Sequence, residues 1–342
     1  MVNIYLTDKK DRVGRDLSPQ AYAENYAACE RIIAAFGGTR LVADLKPSNF
    51  KDLQYSFPKK WGPHKRSKTI QLIRSAFKFA YDQDEIDKPV KFGNFKKPKW
   101  SVFRKHRRDS QEKNGKRMFE ADELRLLLAN VGQPLRAMIL LGANCGLGNN
   151  DVNMLTFSAL DLEKGWLDYP RPKNGIAREC PLWPQTVDAL QEWDDIRRKI
   201  RPATPDLSNR VFLTARGNAW VKVELVEEEI GTKKKVSIVN DDAIAKEMAK
   251  VLKKLGLKRP GLNFYALRHG FQTVAEQKAG DRAAIERIMG HGDEINDMGG
   301  RYREYIDPDQ LRKITNAVRE WLFPPEPQDD GADVLPMTKA KA

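Results

Sequence analysis

Cysteine is scarce in this chain. Cys29, Cys145 and Cys180 are odd in number and widely separated among 342 residues. They suggest neither a disulfide framework nor a zinc cluster, and a reducing cytoplasm is the expected setting. Long apolar runs are missing too: none approaches the roughly 20 residues of a membrane span. The opening MVNIYLTDKKDRVGRD lacks the apolar core and small-residue cleavage site of a secretory signal. No membrane partner is expected. The sequence shows no acidic cluster of the kind that holds two metal ions, and no glycine-rich loop with lysine to cradle a nucleotide. Neither a metal nor another cofactor is expected.

What the chain has is positive charge, unevenly placed. Its formal net charge is +13, its hydrophobic fraction of 41% suits a soluble globular protein, and its length allows two domains. Between Lys91 and Arg117 stand 11 Lys or Arg against 2 Asp or Glu, a net +9 of that +13. Pro98 and Gly115 interrupt this stretch and no helical period is sustained, so it reads as a linker. Its Lys96, Lys97, Lys99, Arg104, Lys105, Arg107 and Arg108, interleaved with Phe95, Trp100 and Phe103, suit a strap along a phosphate backbone. A solvated charged loop is the alternative.

The chain before residue 90 reads as helical. Ser18-Pro19 and Lys46-Pro47-Ser48 are helix starts, and SKTIQLIRSAFKFAYDQ places Ile70, Ile73, Phe77 and Ala80 on one stripe. After the linker, FEADELRLLLANV and PLRAMILLGANCG read as helices, the second apolar enough to be buried. Trp166–Tyr169 and Ala177–Leu182 read as strands around Lys173-Asn174-Gly175, since Asn-Gly is a strong hairpin signal. A second hairpin turns at Gly231, followed by the helix DDAIAKEMAKVLKKLG. In YALRHGFQT, Leu267 and Phe271 continue an apolar stripe from Phe264 to Val274, with Arg268 and His269 at its edge. DRAAIERIMGHG and a segment around Arg301-Tyr302-Arg303 complete this half. The expected organisation is a helical domain over 1–90, a basic linker over 91–117, a second domain over 118–323 and a disordered tail over 324–342.

Four polar groups of the second domain stand out: Lys173 at a tight hairpin, Arg268 on a helix, His291 after Gly290, and Tyr302 eleven residues further on. A tyrosine hydroxyl with cationic and imidazole groups suits metal-free attack on a phosphodiester. Singly, each has a plainer reading: a hairpin lysine, a buried ion-pair partner, a helix C-terminal cation, a packed aromatic.

In their order, Leu267-Arg268-His269, Met289-Gly290-His291 and Arg301-Tyr302 resemble the C-terminal signature of the tyrosine recombinases, the phage-integrase family. YPRPKNGIARECPLW is similar to that family's lysine-bearing hairpin. The resemblance covers roughly residues 10 to 322 and implies a mainly α fold with a small β-hairpin sheet. It implies a helical core-binding domain and a catalytic domain that form a C-shaped clamp on double-stranded DNA. It further implies strand cleavage and rejoining through a 3′-phosphotyrosyl link, no cofactor, a homotetramer on DNA and a cytoplasmic, nucleoid-associated setting. Carried over, Lys173 is the hairpin lysine, Arg268 the second phosphate-binding arginine, His291 the second histidine position and Tyr302 the nucleophile. Tyr305 is a rival, still further from Gly290-His291 than the family's usual spacing, which Tyr302 already exceeds by about two residues.

Two positions depart from the pattern. In Cys145-Gly146-Leu147-Gly148-Asn149-Asn150-Asp151, Gly148 stands where the family's first catalytic arginine belongs, and Tyr265 stands at the first histidine position. Tyrosine still offers a hydrogen bond, whereas glycine brings no charge. Losing such a donor typically costs about 3 kcal/mol of transition-state stabilisation, on the order of 100-fold in rate. Asn149, Asn150 or helix-start N–H groups are candidates to cover the loss. The alternative function is a catalytically impaired DNA-binding relative that acts as a regulator or accessory factor.

Overall fold

Proline and serine set the helix starts of the N-terminal half. Helix α2 (Pro19–Phe36) begins with Pro19 in its first turn, and Ser18 Oγ accepts a hydrogen bond from the Ala21 amide. Helices α3 (Pro47–Tyr55) and α4 (Pro63–Asp82) also open on proline. They are preceded by α1 (Val2–Asp11), which buries only Tyr5 and carries no start signal of its own in the sequence. The computed structural model describes residues 1–173, 175–230, 233–291 and 305–325, by backbone only at 229–230 and 233–234. Asn174, Gly231, Arg301-Tyr302-Arg303 and the tail from 326 onward therefore lie outside the described residues.

One compact unit comprises residues 1–117 with 219–243 and 259–261. Its core is aromatic. Phe50 is fully buried, with Phe36, Phe77 and Phe92 around it at ring centroid separations of 5.2, 5.5 and 4.9 Å, each edge-on. Ile32, Ile70, Ile73 and Ala76 complete it from α2 and α4. Strands β4 (Val221–Ile230) and β5 (Lys233–Asp242) pair antiparallel, with Val221 opposite Asp242 and Leu225 opposite Ile238. This hairpin packs against α2, and Lys10 pairs with Glu227 at 2.9 Å.

Residues 91–117 differ from a linker without helical period. Helix α5 spans Trp100–Asn114. Its composition explains the difference: with no buried residue it carries no apolar stripe to read, and a helix polar all round is carried by neighbours or by a partner. Phe95 is likewise no strap residue. It is buried at 1% exposure in the aromatic core, 5.8 Å from Phe50, while Phe103 lies edge-on to His64. Of the three aromatics only Trp100 is widely exposed.

The other unit comprises residues 118–218, 244–258 and 262–342. It is built from α6 (Ala121–Ala129), α7 (Leu135–Cys145), α8 (Asn149–Met154), α9 (Pro184–Arg197), α10 (Ala243–Lys254), α11 (Ala266–Lys278), α12 (Arg282–Met289) and α13 (Pro308–Leu322). The small antiparallel sheet β1 (Leu160–Asp161), β2 (Trp166–Asp168) and β3 (Glu179–Pro181) has the order β1-β2-β3, with Leu167 opposite Cys180. Helix α7 is buried along nearly its whole length and packs against α9 and α11. At Gly142 a Cβ would stand 2.7 Å from Leu267, so the missing side chain sets how closely α11 approaches. Strand β3 is clamped from several sides. Buried Asn144 donates to the Pro181 carbonyl and accepts from the Trp183 amide, Trp183 Nε1 donates to the Thr315 carbonyl of α13, and Arg287 of α12 pairs with Glu179. Among the described residues no helix is long and apolar enough to cross a membrane.

Candidate active site

Two helix ends and one hairpin converge on Arg268. Helix α7 stops at Gly146, in left-handed conformation at φ 63°, and α12 stops at Gly290, at φ 58°. After Gly290 the His291 amide donates to the Glu286 carbonyl and the Gly290 amide to that of Arg287, a paired capping pattern that needs a left-handed residue just before the histidine. Gly290-His291 is thus a structural stop that also fixes where the imidazole begins.

Arg268 lies in the first turn of α11, 2% exposed. Its Nη1 donates to the Gly146 carbonyl and its Nη2 to the Met289 carbonyl at 2.8 Å, so it satisfies terminal carbonyls of two helices from their negative ends. The His291 Nε2 lies 2.5 Å from Arg268 Nη2. Arginine only donates, so Nε2 accepts and the imidazole carries its proton on Nδ1. Burial, with Arg268, Arg171 and Arg178 nearby, lowers the His291 pKa to about 4. The ring is neutral at physiological pH. Arg268 itself is lowered to about 10 by burial and by Arg171 and Arg178, against the raising effect of Asp151.

Asp151 is the one carboxylate close to this group among the described ion pairs. Its Oδ2 accepts from the Gly148 amide at 3.0 Å, stands 3.5 Å from Arg178 Nη2 and 4.0 Å from Arg268 Nη1. The Gly148 amide is therefore engaged within the protein and does not replace a lost side chain. Gly148 and Tyr265 are neighbours: a Cβ at 148 would meet the Tyr265 ring at 3.3 Å. The two departures from the family pattern thus share one space, with the tyrosine ring in tight contact with the place where a side chain on residue 148 would begin. Tyr265 is 45% exposed and edge-on to His269 at 5.3 Å.

Lys173 is exposed at the tip of the hairpin that carries β2 and β3. Tyr305, the rival to Tyr302, is 74% exposed ahead of α13. Tyr302 lies outside the described residues. The structure thus joins Arg268 to His291, sets Tyr265 beside Gly148, and leaves Lys173 at the surface.

Sequence reasoning overlooks two members of this group, Arg171 and Arg178. The hairpin continues past its strands, with the Tyr169 amide on the Arg178 carbonyl and the Arg171 amide on that of Ile176. Arg178 points to the same side as buried Cys180, two residues on, and its guanidinium lies over the Tyr169 ring at 5.6 Å. Arg171 Nη1 reaches the Gly290 carbonyl at 3.4 Å. The available signal was the two-residue period: Arg178 alternates in step with an apolar inward position.

The exposed counterpart lies on the other unit. Lys96, Lys97, Lys99, Arg104, Lys105, Arg107 and Arg108 are all exposed. Lys97 bonds Gln71, and Arg108 meets Glu112 at 3.7 Å. Arg104, Arg107 and Arg108 are spaced by three and four on α5 and so share a face, where like charges weaken an isolated helix by tenths of a kcal/mol.

The model of the phage integrase family matches residues 117–321. Among solved structures, a Tn1549 transposon integrase in complex with a circular intermediate DNA is 15% identical with a TM-score of 0.58, over 91% of this chain and 98% of that one. The XerH site-specific recombinase bound to its difH substrate is 14% identical with a TM-score of 0.59, over 91% and 82%. A lambda integrase tetramer bound to a Holliday junction is 12% identical with a TM-score of 0.58, over 86% and 77%. No curated protein matches the chain in sequence.

Proposed function

The chain belongs to the phage integrase family, and from that premise we propose how its residues cut and rejoin DNA. It is a DNA-binding tyrosine recombinase of mostly helical fold with small antiparallel sheets. The observation that carries the proposed chemistry is Arg268: a buried guanidinium held by two helix ends, with a neutral imidazole 2.5 Å away. Such donors are preorganised for charge that develops on phosphate oxygens, in surroundings that screen them little.

In this reading the Tyr302 hydroxyl loses its proton to solvent as its oxygen bonds to the scissile phosphorus. The bond from phosphorus to the 5′ oxygen breaks, and that oxygen takes a proton from the Lys173 ammonium. The phosphorus stays joined to the 3′ side, so the bond energy is kept for rejoining when a 5′ hydroxyl attacks in reverse. Arg268 and the Nδ1–H of His291 hold the non-bridging oxygens, and the Tyr265 hydroxyl adds a donor. Guanidinium, imidazole and ammonium together provide what a metal ion provides elsewhere. Assembly as a tetramer on two duplexes belongs to the same proposal.

Gly148 favours the second reading, a binding protein that no longer cuts. The test that separates the two uses a library of random duplexes carrying nicks, from which a cut end escapes. DNA that stays on the protein in SDS is then captured. Adducts from the natural protein that vanish in Tyr302→Phe and persist in Tyr305→Phe are expected. Enrichment of sequences under native conditions with no adduct would support the binding protein.

A further inference from the structure

A buried guanidinium without partners is a costly thing to keep in a fold. Among the described residues Arg178 is one: its side chain is 0% exposed, and Nε, Nη1 and Nη2 all lack a hydrogen-bond acceptor there. The contrast with Arg197, in the same unit, is direct. Arg197 is also buried, but its guanidinium bonds the carbonyls of Arg210, Ile200 and Ser208 and needs nothing more. Besides the Tyr169 ring, Arg178 has among the described residues only Asp151, at 3.5 Å, which it shares with Arg268 and with the Gly148 amide. Arg171 and Arg268 add further buried Nε atoms without a partner among the described residues.

The charges do not balance. Among the described residues three guanidiniums face one carboxylate around Gly290, and His291 is neutral, which leaves these groups a net charge of +2 (three minus one). A phosphodiester carries one negative charge and gains a second when a tyrosinate oxygen joins as fifth ligand. The surplus matches that dianion. Gly290 lets the two arginines pack closely beside it: a Cβ there would stand 3.0 Å from Arg178 Nε and 3.1 Å from Arg171 Cβ.

We propose that Arg178, carried on the hairpin just before β3 and supported by Arg171, supplies the second guanidinium to the scissile phosphate, in place of the side chain absent at Gly148. This rests on the strand-transfer reading above. The charge reaches the same carboxylate from a different element, and its arrival from the residue just before β3 leaves residue 148 free to be glycine and the Tyr265 ring free to fill the space beside it. Strand β3 is tied to α7, α12 and α13 by the Asn144, Arg287 and Trp183 contacts, so the guanidinium is aimed by three helices rather than by a loop.

The test measures single-turnover adduct formation on a nicked duplex chosen from the library, together with duplex affinity and thermal unfolding. Arg178→Met is expected to slow adduct formation at least about 100-fold, the loss typical of one such donor, with affinity within a few-fold of the natural protein. Arg178→Lys keeps the charge toward Asp151 but not the planar fork, and is expected to fall at least about tenfold with its unfolding temperature retained. If Arg178→Met does not fold, Arg178→Lys decides. Adding Gly148→Arg to the slow variant is expected to recover at least about tenfold, a result that a merely structural role for Arg178 would not produce. Arg178→Lys cleaving at the natural rate would overturn this inference while leaving strand transfer intact. Tyr302-dependent adducts absent from the natural protein would overturn both.

Discussion

The chain carries positive charge in two forms. On α5 and the segment before it, arginines and lysines stand in solvent, spaced along one helix and largely held by nothing described. Around Arg268, three guanidiniums lie at helix ends and ahead of strand β3, facing one carboxylate among the described residues. Exposed charges contribute affinity through released counterions and are screened by salt. Buried ones contribute little to affinity and much to the selection of a transition state, because their orientation is fixed before the ligand arrives. One protein therefore separates holding a phosphate backbone from activating one phosphate in it.

Breaking that separation at its strongest point means removing Arg268. Arg268→Ala is expected to lower adduct formation by at least about 1000-fold, beyond the loss typical of one donor, since His291 loses the group that fixes its tautomer. Duplex affinity, measured by titration at fixed salt, is expected to stay within a few-fold. Cleavage retained by this variant would remove Arg268 from the site. Lys173→Ala is expected to cost about 100-fold, within the usual range for a general acid. A duplex with sulfur as the bridging 5′ atom, a leaving group that needs no proton, is expected to recover most of it. Equal loss on both substrates would make Lys173 a binding residue.

The opposite disturbance is on α5. Neutralising Arg104, Lys105, Arg107 and Arg108 is expected to weaken binding to all sequences alike. The slope of log affinity against log salt should flatten by up to about 0.9 for each phosphate no longer neutralised, with the adduct rate at saturating protein unchanged. An unchanged slope would make α5 a solvated helix. The smallest effect is on stability. His291 has a folded pKa near 4 against an ordinary 6.5, so between those values the unfolded chain binds a proton that the folded chain does not. Stability then falls as pH drops from about 6.5 to 4 and levels off below. Thermal unfolding of His291→Asn should show a shallower decline over this window than the natural protein. Parallel curves would place the titration elsewhere.

Much of this was legible in the sequence, and the gaps have physical causes. Periodic apolar stripes and capping residues mark α2, α4, α7, α11 and α12, because a buried face and an unsatisfied helix end both constrain residue type. The same rule should have marked α13, whose Leu311, Ile314, Thr315, Val318 and Leu322 form one buried stripe. Helix α5 carries no such mark, since nothing on it is buried. The proximity of Arg268 to His291 was expected from order along the chain. Arg178 was not, because an arginine in a hairpin reads as surface charge. Only its step with Cys180 hints that it points inward, and only the fold shows Asp151 and Gly290 waiting there.

The central claim is that phosphorus passes to a tyrosine with the 3′ side attached. Its most direct test is the chemistry of the two DNA ends after cleavage of a nicked duplex in the presence of EDTA. The account predicts protein on the 3′ end of one fragment and a free 5′ hydroxyl on the other, which a polynucleotide kinase labels without prior phosphatase. Protein on the 5′ end, or free fragments ending in 5′ phosphate, would contradict it.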